Sequence, residues 1–262
     1  GFARVLFCLS PRSLGSAGVA YFDRRALNYC VQEDVNSDGP NDNGRDRNFA
    51  IFKPYGYLSQ FVNNGQVKKR QQLLGSLNHN LPASVMPVGR LDQDSEGLLL
   101  LTTDGKLSFA VTSGRSVEKQ YLAQVDGCIT DDGLGAMARG VEISCKGGRQ
   151  IETRPCQVAR IPAPKLPERG RRIRDDRHGP TSWISVTLTE GRHRQVRKMT
   201  AAVGFPTLRL VRVRVGSVLL GDMGPGEIRE LDSGELWRGL REGGRGGSKT
   251  KDYEFRSCNV HS

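Results

Sequence analysis

The sequence lacks several features that would mark a membrane or metal-binding protein. No apolar run among its 262 residues approaches the ~20 that a membrane-spanning helix needs. Its six cysteines form no CxxC pair, and none stands at zinc-finger spacing from a histidine. They read as reduced thiols of an intracellular protein. We therefore expect no membrane association and no bound metal.

Acidic residues are also in short supply. The chain has 28 Asp and Glu against 39 Lys and Arg, which gives a formal net charge of +11. An excess of this size favours a polyanionic partner, most simply a nucleic acid. The alternative is a basic surface with basic tails and no binding role.

The two ends of the chain have the composition of unfolded segments. The stretch Glu33–Asn48 is polar and almost free of apolar residues, so residues 1–48 are predicted to form a disordered extension and linker. The part before Asp23 has arginines and serines but no acids. This is compatible with the remnant of a chloroplast or mitochondrial transit peptide, and equally with an irregular terminus of a cytoplasmic protein. Residues 49–238 are the predicted folded domain, and residues 239–262 the flexible basic Gly-rich tail.

Strand patterns outnumber helix patterns and do not alternate strictly with them. We therefore predict an α+β fold around a large, mainly antiparallel sheet. In the strand RLVRVRVG the valines are expected on one face and Arg212 and Arg214 on the other. Helices are predicted at DGKLSFAVT with Asp104 as N-cap, at DGLGAMARG, and at HRQVRKMTAAV with Gly204 as the stop. The other predicted strands are FAIF, GLLLLT, KQYLAQVDG and SWISVTLTEG.

The stretch GRLDQDSEGLLLLTTDG holds three acids at alternate positions, Asp92, Asp94 and Glu96. A calcium loop that began at Asp92 would need a bidentate carboxylate where Thr103 stands. A glycosidase pair would need a carbohydrate cleft, which a basic chain with 6% aromatic residues does not suggest. A turn before a strand explains Asp94 and Gly97 but not Asp92, which lies beside an apolar strand. Such a carboxylate needs a cationic partner.

The candidate partner lies in the predicted helix near EGRHRQVRKM, which has no acid from Gly191 to Met199. Arg197 stands next to the apolar stripe of Val196 and Met199, and so at the edge of the buried face. An arginine there is able to form a bidentate pair with a buried aspartate. The alternative is an ordinary basic face in water.

Five segments in this order resemble the motifs of the pseudouridine synthases, in particular the RsuA-type branch and its RluE-like members, which act on large-subunit ribosomal RNA. The resemblance implies the catalytic fold of that family, with a mixed, mainly antiparallel sheet, flanking helices and a central cleft. It implies a chain without an S4 domain and without a cofactor, acting as a monomer on ribosomal RNA or a pre-ribosomal particle. The segments are FKPYGYLSQ, GRLDQDSEGLLLLTTDG, KQYLAQV, EGRHRQVRKMTAAVGFPTLRLVRVRVG and PGEIREL.

The same resemblance implies roles for three catalytic residues. Asp92 matches the nucleophile, which attacks either C1′ of the ribose or C6 of the base. Arg197 would pair with Asp92 and keep it ionised. Tyr121 would stack on the uracil, although the residues alone favour a core aromatic with a tethered hydroxyl. The alternative function is a non-catalytic RNA-binding ribosome-assembly factor with this fold.

Contacts to the substrate RNA are expected from basic and polar residues of the motifs and from the basic loop Lys165–Arg177. Individually, the arginines of that loop are expected to be solvated, and Lys53 has the alternative of a surface lysine before a turn-forming proline. The predicted substrate-binding residues are Lys53, Arg90, Lys119, Arg192, Arg194 and Gln195.

Overall fold

The computed structural model describes residues 45–63, 65, 71–77, 80–113, 117–145, 147–171, 173 and 179–242. The predicted extension up to residue 44 and the tail from residue 243 lie outside this set, so those two predictions stay predictions. The described residues belong to one compact unit.

One large sheet dominates the described part of the chain. Its strands run in the order β13-β1-β5-β11-β6-β10-β9, with β4 beside β5 and β12 beside β11. Only β5 and β11 pair in parallel within it, and every other pairing is antiparallel. The predicted α+β fold with a mainly antiparallel sheet is thus confirmed. The strands are β1 Asn48–Lys53, β4 Met86–Pro87, β5 Glu96–Thr102, β6 Lys119–Asp126, β9 Gln157–Ile161, β10 Thr181–Leu188, β11 Thr207–Val215, β12 Val218–Leu219 and β13 Ile228–Leu231.

Two small strand pairs and four α-helices complete the described structure. Each of the three predicted helices is present, and Gly204 ends its helix in the left-handed region with φ +89°. Asp104 accepts a hydrogen bond from the backbone N–H of Lys106 at 2.7 Å, as expected of an N-cap. The pairs are β2 Tyr57–Leu58 with β3 Gln72–Leu73, and β7 Glu142–Ser144 with β8 Gln150–Glu152; the helices are α1 Gly105–Ser113, α2 Asp131–Arg139, α3 Gln195–Ala202 and α4 Ser233–Glu242, with a 3-10 turn at Leu74–Leu77.

Strand β5 is buried along its whole length, because each of its faces packs in an apolar cluster. Leu107 of α1 and Leu236 of α4 belong to one apolar cluster with side chains of β5 and β11. Leu99 and Leu101, on the other face of β5, belong to a second cluster with Leu74 of the 3-10 turn. Two covered faces explain why GLLLLT is a continuous apolar run rather than an alternating one.

Both predicted ends of the folded domain are corrected by the structure. Asn48 is the first residue of β1, and its buried side chain accepts a hydrogen bond from Thr102 and donates one to Ser233. At the other end, α4 continues to Glu242, and Leu240 packs in the core. The Gly-rich composition hid this last helical turn, because the apolar side chain that anchors it stands among charged residues and glycines.

Gly97 allows the parallel contact between β5 and β11. It pairs with Arg212 and has φ +98°. A Cβ there would lie 2.9 Å from the backbone nitrogen of Arg212 and closer still to its carbonyl oxygen. Only glycine combines this backbone conformation with this approach. The contact fixes where β5 begins, and hence where the acidic turn before it lies.

Candidate active site

Most of the predicted site residues line one cleft of about 950 Å³. Its floor comes from β6 and β11, and its walls from the acidic turn before β5 and the loop before α3. Lys53 and Arg197 are absent from its lining. The predicted residues that line it are Arg90, Asp92, Lys119, Tyr121, Arg192, Arg194 and Gln195.

The turn that carries Asp92 is held rigidly by the segment after β1. The hydroxyl of buried Ser59 accepts a hydrogen bond from the N–H of Leu91 at 2.9 Å and donates one to its carbonyl oxygen at 2.8 Å. Gly56 and Gln93 are joined in the same way, through one backbone and one side-chain hydrogen bond. The side chain of Asp92 itself is only 28% exposed. The segment FKPYGYLSQ therefore fixes the position of the turn that carries Asp92.

Arg194 is the arginine whose ion pair reaches Asp92. Its guanidinium binds both carboxylate oxygens of Asp94 at 2.8 Å and lies 3.6 Å from Oδ2 of Asp92. Among the residues described, Arg194 is the one non-glycine with a positive φ, at 54°. Such a conformation costs on the order of 1–3 kcal/mol and is typical of functional sites. Here it turns the side chain from the N-terminus of α3 towards the acidic turn.

The predicted ion pair between Arg197 and Asp92 is wrong, because Arg197 contacts Asp94 instead. Arg197 places Nε 3.5 Å from Oδ2 of Asp94 and donates to the carbonyl oxygen of Asp94 at 2.8 Å. It also donates to the carbonyl oxygen of Thr207 at 3.2 Å. Arg197 thus ties the turn to β11, while Arg194, which immediately precedes α3, faces the cleft.

Asp94 is the centre of this cationic arrangement. Burial alone would raise the pKa of Asp94, but the hydrogen bond from Arg194 and the charges of Arg197 and Arg194 hold the pKa below its usual value. Asp94 therefore stays ionised and occupies both guanidinium groups. Asp92 is left with one longer ion pair and a partly exposed carboxylate, which suits a nucleophile.

Tyr121 and Lys119 lie on the cleft face of β6. Both are half-buried, and Nζ of Lys119 donates to the carbonyl oxygen of Val117 at 3.1 Å. Burial, with the charge of Arg212 beside it, lowers the pKa of Lys119 to about 8. Arg212 pairs in register with Tyr121 and also lines the cleft. Sequence reasoning missed this arginine, because the alternation of its strand placed it on one face with Arg214 and gave no sign of the cleft.

Lys53 does not reach the cleft, and its predicted role in RNA contact is wrong. Its side chain has no exposed surface, and Nζ donates to the carbonyl oxygens of Pro54 at 2.9 Å and Tyr57 at 2.8 Å. Burial lowers the pKa of Lys53 to about 7, against the opposing charges of the nearby acids. Lys53 therefore organises the loop after β1 rather than binding a phosphate.

Gln195 shapes the loop before α3. It is 4% exposed, donates to Oε1 of Glu190 at 2.5 Å and accepts from the backbone N–H of Arg192 at 2.9 Å. Arg192 in turn binds Glu190 through Nε at 3.1 Å. With these bonds in place, Gln195 presents little surface to a substrate, whereas Arg90 and Arg192 are exposed at the cleft.

Glu96, the third acid of the stretch, faces away from the cleft into a buried ion cluster. Arg209 binds both its oxygens, at 3.2 and 2.9 Å, and Nε of Arg169 lies 3.4 Å away. Arg169 also stacks over the ring of Tyr55 with 3.9 Å to its centroid. Its side chain is only 10% exposed, so the expectation that the loop arginines are solvated is wrong for this one. Residues 172 and 174–178 of that loop lie outside the described set.

Neither a candidate metal cluster nor a membrane-spanning helix occurs among the described residues. No cluster of three or more His, Cys, Asp or Glu side chains is placed to hold a metal ion there. None of the helices in that part of the chain is long and apolar enough to cross a membrane.

Comparison with known proteins agrees with the motifs. Residues 48–202 match the family described as RNA pseudouridylate synthase. The chain is 43% identical to ribosomal large subunit pseudouridine synthase E of Vibrio parahaemolyticus over 190 residues, which are 71% of this chain and 75% of that protein. The same enzyme of Xanthomonas axonopodis is 45% identical over 177 residues, 67% of this chain and 88% of that one.

The fold is also similar to that of a solved enzyme. A crystal structure of a pseudouridylate synthase superposes with a TM-score of 0.58 at 25% identity, and the match covers 74% of each chain. The family predicted from the ordered motifs is thereby confirmed. With 59% of its length inside the family match and relatives above 40% identity, the chain belongs to the RNA pseudouridylate synthase family.

Proposed function

We propose that this protein converts a uridine of large-subunit ribosomal RNA into pseudouridine, with Asp92 as the nucleophile. The observation that carries the proposal is the half-buried carboxylate of Asp92 in a basic cleft with Tyr121. The relatives at 43% and 45% identity are named for the large ribosomal subunit, which supports this choice of RNA.

The reaction exchanges one bond for another within the same nucleotide. Asp92 attacks either C1′ of the ribose or C6 of the base, and the bond between C1′ and N1 breaks. The detached uracil turns while it remains in the cleft, and C5 then bonds to C1′ as the carboxylate leaves. C5 loses its hydrogen as a proton, and N1 gains one. Tyr121 stacks on the base throughout, and no metal or cofactor takes part.

The arginines around the acidic turn hold the turn, and with it the nucleophile, in place. Arg194 lies 3.6 Å from Oδ2 of Asp92 but binds Asp94 more closely, so it leaves the carboxylate of Asp92 partly uncovered. Arg197 contributes indirectly, because it fixes the backbone of Asp94 against β11. In this proposal Arg197 is a positioning residue rather than a group that touches the nucleophile.

RNA binding is assigned to the exposed cations at the cleft. A uridine in a helix is out of reach of Asp92, so it must be presented in a loop or flipped out of its stack. Unstacking costs a few kcal/mol, which stacking on Tyr121 offsets in part. Arg90 and Arg192 are exposed at the cleft and are the proposed contacts to the phosphates of the flipped nucleotide, so the affinity should fall steeply with salt.

We further propose that the protein acts as a monomer inside the cell, on ribosomal RNA or a pre-ribosomal particle. The acid-free composition before Asp23 is compatible with import into an organelle whose ribosomes resemble those of bacteria, and equally with the cytoplasm. Locating a fluorescent fusion of the full chain would decide between the two compartments.

The test of the proposed activity is a direct count of the product in defined RNA. Large-subunit and small-subunit ribosomal RNA transcripts are incubated with the protein, digested to nucleosides and separated by chromatography. We expect pseudouridine in the large-subunit RNA alone. Pseudouridine in the small-subunit RNA alone would contradict the substrate but not the chemistry.

The ribosome-assembly factor without catalysis predicts a different outcome. It binds RNA but yields no pseudouridine, either in transcripts or in isolated ribosomal particles that lack the modification. That result with folded, RNA-binding protein would overturn the enzymatic proposal.

A further inference from the structure

Strand β11 carries three buried arginines, and one of them differs from the other two. Arg209 is paired with Glu96 and Arg214 with Glu118. Arg212 is 5% exposed and donates through Nε to the carbonyl oxygen of Leu98 at 2.7 Å. Within the described residues it has no carboxylate within ion-pair distance, and it is the arginine of the three that lines the cleft.

Lys119 brings a second positive charge to the same place. It stands two residues before Tyr121 on β6, and Arg212 pairs in register with Tyr121 on β11, so the three side chains share the cleft face of the sheet. Nζ of Lys119 contacts the carbonyl oxygen of Val117, and in the described structure no carboxylate is within salt-bridge distance of it. Burial, together with the positive charge of Arg212, lowers the pKa of Lys119 to about 8.

Two cations without a carboxylate at the floor of a cleft are costly unless an anion joins them. The other two arginines of β11, Arg209 and Arg214, each have a glutamate as a permanent partner within the fold. The absence of one at Arg212, in the described set, leaves its terminal nitrogens available to whatever occupies the cleft.

We propose that Arg212 and Lys119 stabilise the negative charge that the uracil acquires during the reaction. The inference rests on the proposed function. If Asp92 attacks C1′, the electron pair of the C1′–N1 bond passes to the base and spreads over N1, O2 and O4. If Asp92 adds to C6, the electron pair of the C5–C6 double bond moves to O4. In both routes a uracil oxygen becomes an oxyanion. The charge is lost once C5 has bonded to C1′ and released its hydrogen, and N1 has gained a proton.

The depth of Arg212 favours the base over a phosphate as its ligand. It lies level with Tyr121, on which the uracil is proposed to stack, and is almost completely buried. Phosphate contacts are proposed instead for the exposed arginines of the cleft, Arg90 and Arg192. A preorganised donor for a charge that exists only in the transition state accelerates the reaction without tightening substrate binding.

The test separates the rate of the bound complex from the affinity for RNA. Single-turnover release of tritium from RNA labelled at uridine C5 is measured at saturating enzyme, together with the Kd, for wild type, Arg212→Gln, Arg212→Lys and Lys119→Met. Arg160→Gln is the control, because Arg160 is a surface arginine paired with Asp131 away from the cleft. The midpoint of unfolding in urea is recorded for each variant.

We expect Arg212→Gln to release tritium about 100-fold more slowly than wild type, with a Kd within a factor of two. Arg212→Lys should recover most of that loss, Lys119→Met should lose about 10-fold, and Arg160→Gln should match wild type. An Arg212→Gln variant with a weakened Kd but an unchanged saturated rate would overturn the proposal and identify a phosphate receptor.

If Arg212→Gln does not fold, the decision passes to Lys119→Met and Arg212→Lys. Unchanged rates in both would overturn the proposal. If the wild type itself releases no tritium, the proposed function fails, whereas normal release by wild type and by every variant defeats only the oxyanion site.

Discussion

The buried ion cluster beneath the acidic turn yields the sharpest stability prediction. Glu96 is paired with Arg209 and Arg169, and the exposed fractions of these side chains are 2%, 9% and 10%. Replacing Glu96 by Gln keeps the shape and removes the charge. Two buried guanidinium groups would then lack a counter-ion, which costs about 3–5 kcal/mol.

The chain offers a matched control for that substitution. Glu230 binds Arg47 through two hydrogen bonds of 2.8 Å, much as Glu96 binds Arg209, but its side chain is 53% exposed. A solvent-exposed pair contributes about 0–1 kcal/mol, so Glu230→Gln should be nearly silent.

Equilibrium unfolding in urea, followed by tryptophan fluorescence, distinguishes the two variants. With a slope of about 2 kcal/mol/M, Glu96→Gln should lower the midpoint by roughly 2 M and Glu230→Gln by less than about 0.5 M. Equal midpoint shifts in the two variants would refute the reasoning that burial of the pair sets its contribution.

Three further predictions test other parts of the structure. Asp94→Asn should lower the free energy of unfolding by about 1–3 kcal/mol, since the pair of Asp94 with Arg194 is only partly buried. Because the pKa of Asp94 is depressed, this loss should be full above pH 5 and shrink as the pH falls below 3.8. A loss that does not change with pH in urea titrations would contradict this prediction. The pKa of Lys53 is lowered from 10.5 to about 7, so between these pH values the unfolded chain binds one proton more than the folded protein. From pH 6 to pH 9 the free energy of unfolding of the wild type should therefore rise by about 2.5 kcal/mol relative to that of Lys53→Met. Parallel stability curves for the two proteins would exclude a strained buried charge. Gly97→Ala should lower the free energy of unfolding several-fold more than Gly204→Ala, because Gly204 has a similar positive φ but open space where a Cβ would lie. Similar melting temperatures for the two variants would show that the contact between β5 and β11 is not tight.

The strands and helices were predictable because their patterns are local. The run GLLLLT and the stripe of Val196 and Met199 each specify an element that the structure contains. The order of the motifs identified the family, and the cleft brings Asp92 and Tyr121 together. These features depend on hydrophobic periodicity and on residues close in sequence.

The wrong predictions concern which of several similar groups meet in space. Asp92 and Asp94 are two residues apart on a turn, and sequence spacing does not tell which of them faces Arg197. Lys53 stands before a proline at a strand end, a typical surface position, yet the loop that follows folds over it. Nothing local predicts that enclosure.

Strand β11 shows the same limit for the sheet. The alternation of valine and arginine predicted one apolar and one basic face, but all three arginines of the strand are buried. A register shift between Arg212 and Arg214 gives them different neighbours. The one that faces the cleft was therefore indistinguishable, from the sequence, from the two that face glutamates.

The role of Asp92 as nucleophile is the central claim, and its most direct test is tritium release from large-subunit ribosomal RNA labelled at uridine C5. Pseudouridine formation must expel that hydrogen, so the released tritium counts the reaction itself. The wild type should release it, and Asp92→Asn should release none while binding the RNA with unchanged affinity. Release by Asp92→Asn at the rate of the wild type would contradict the account.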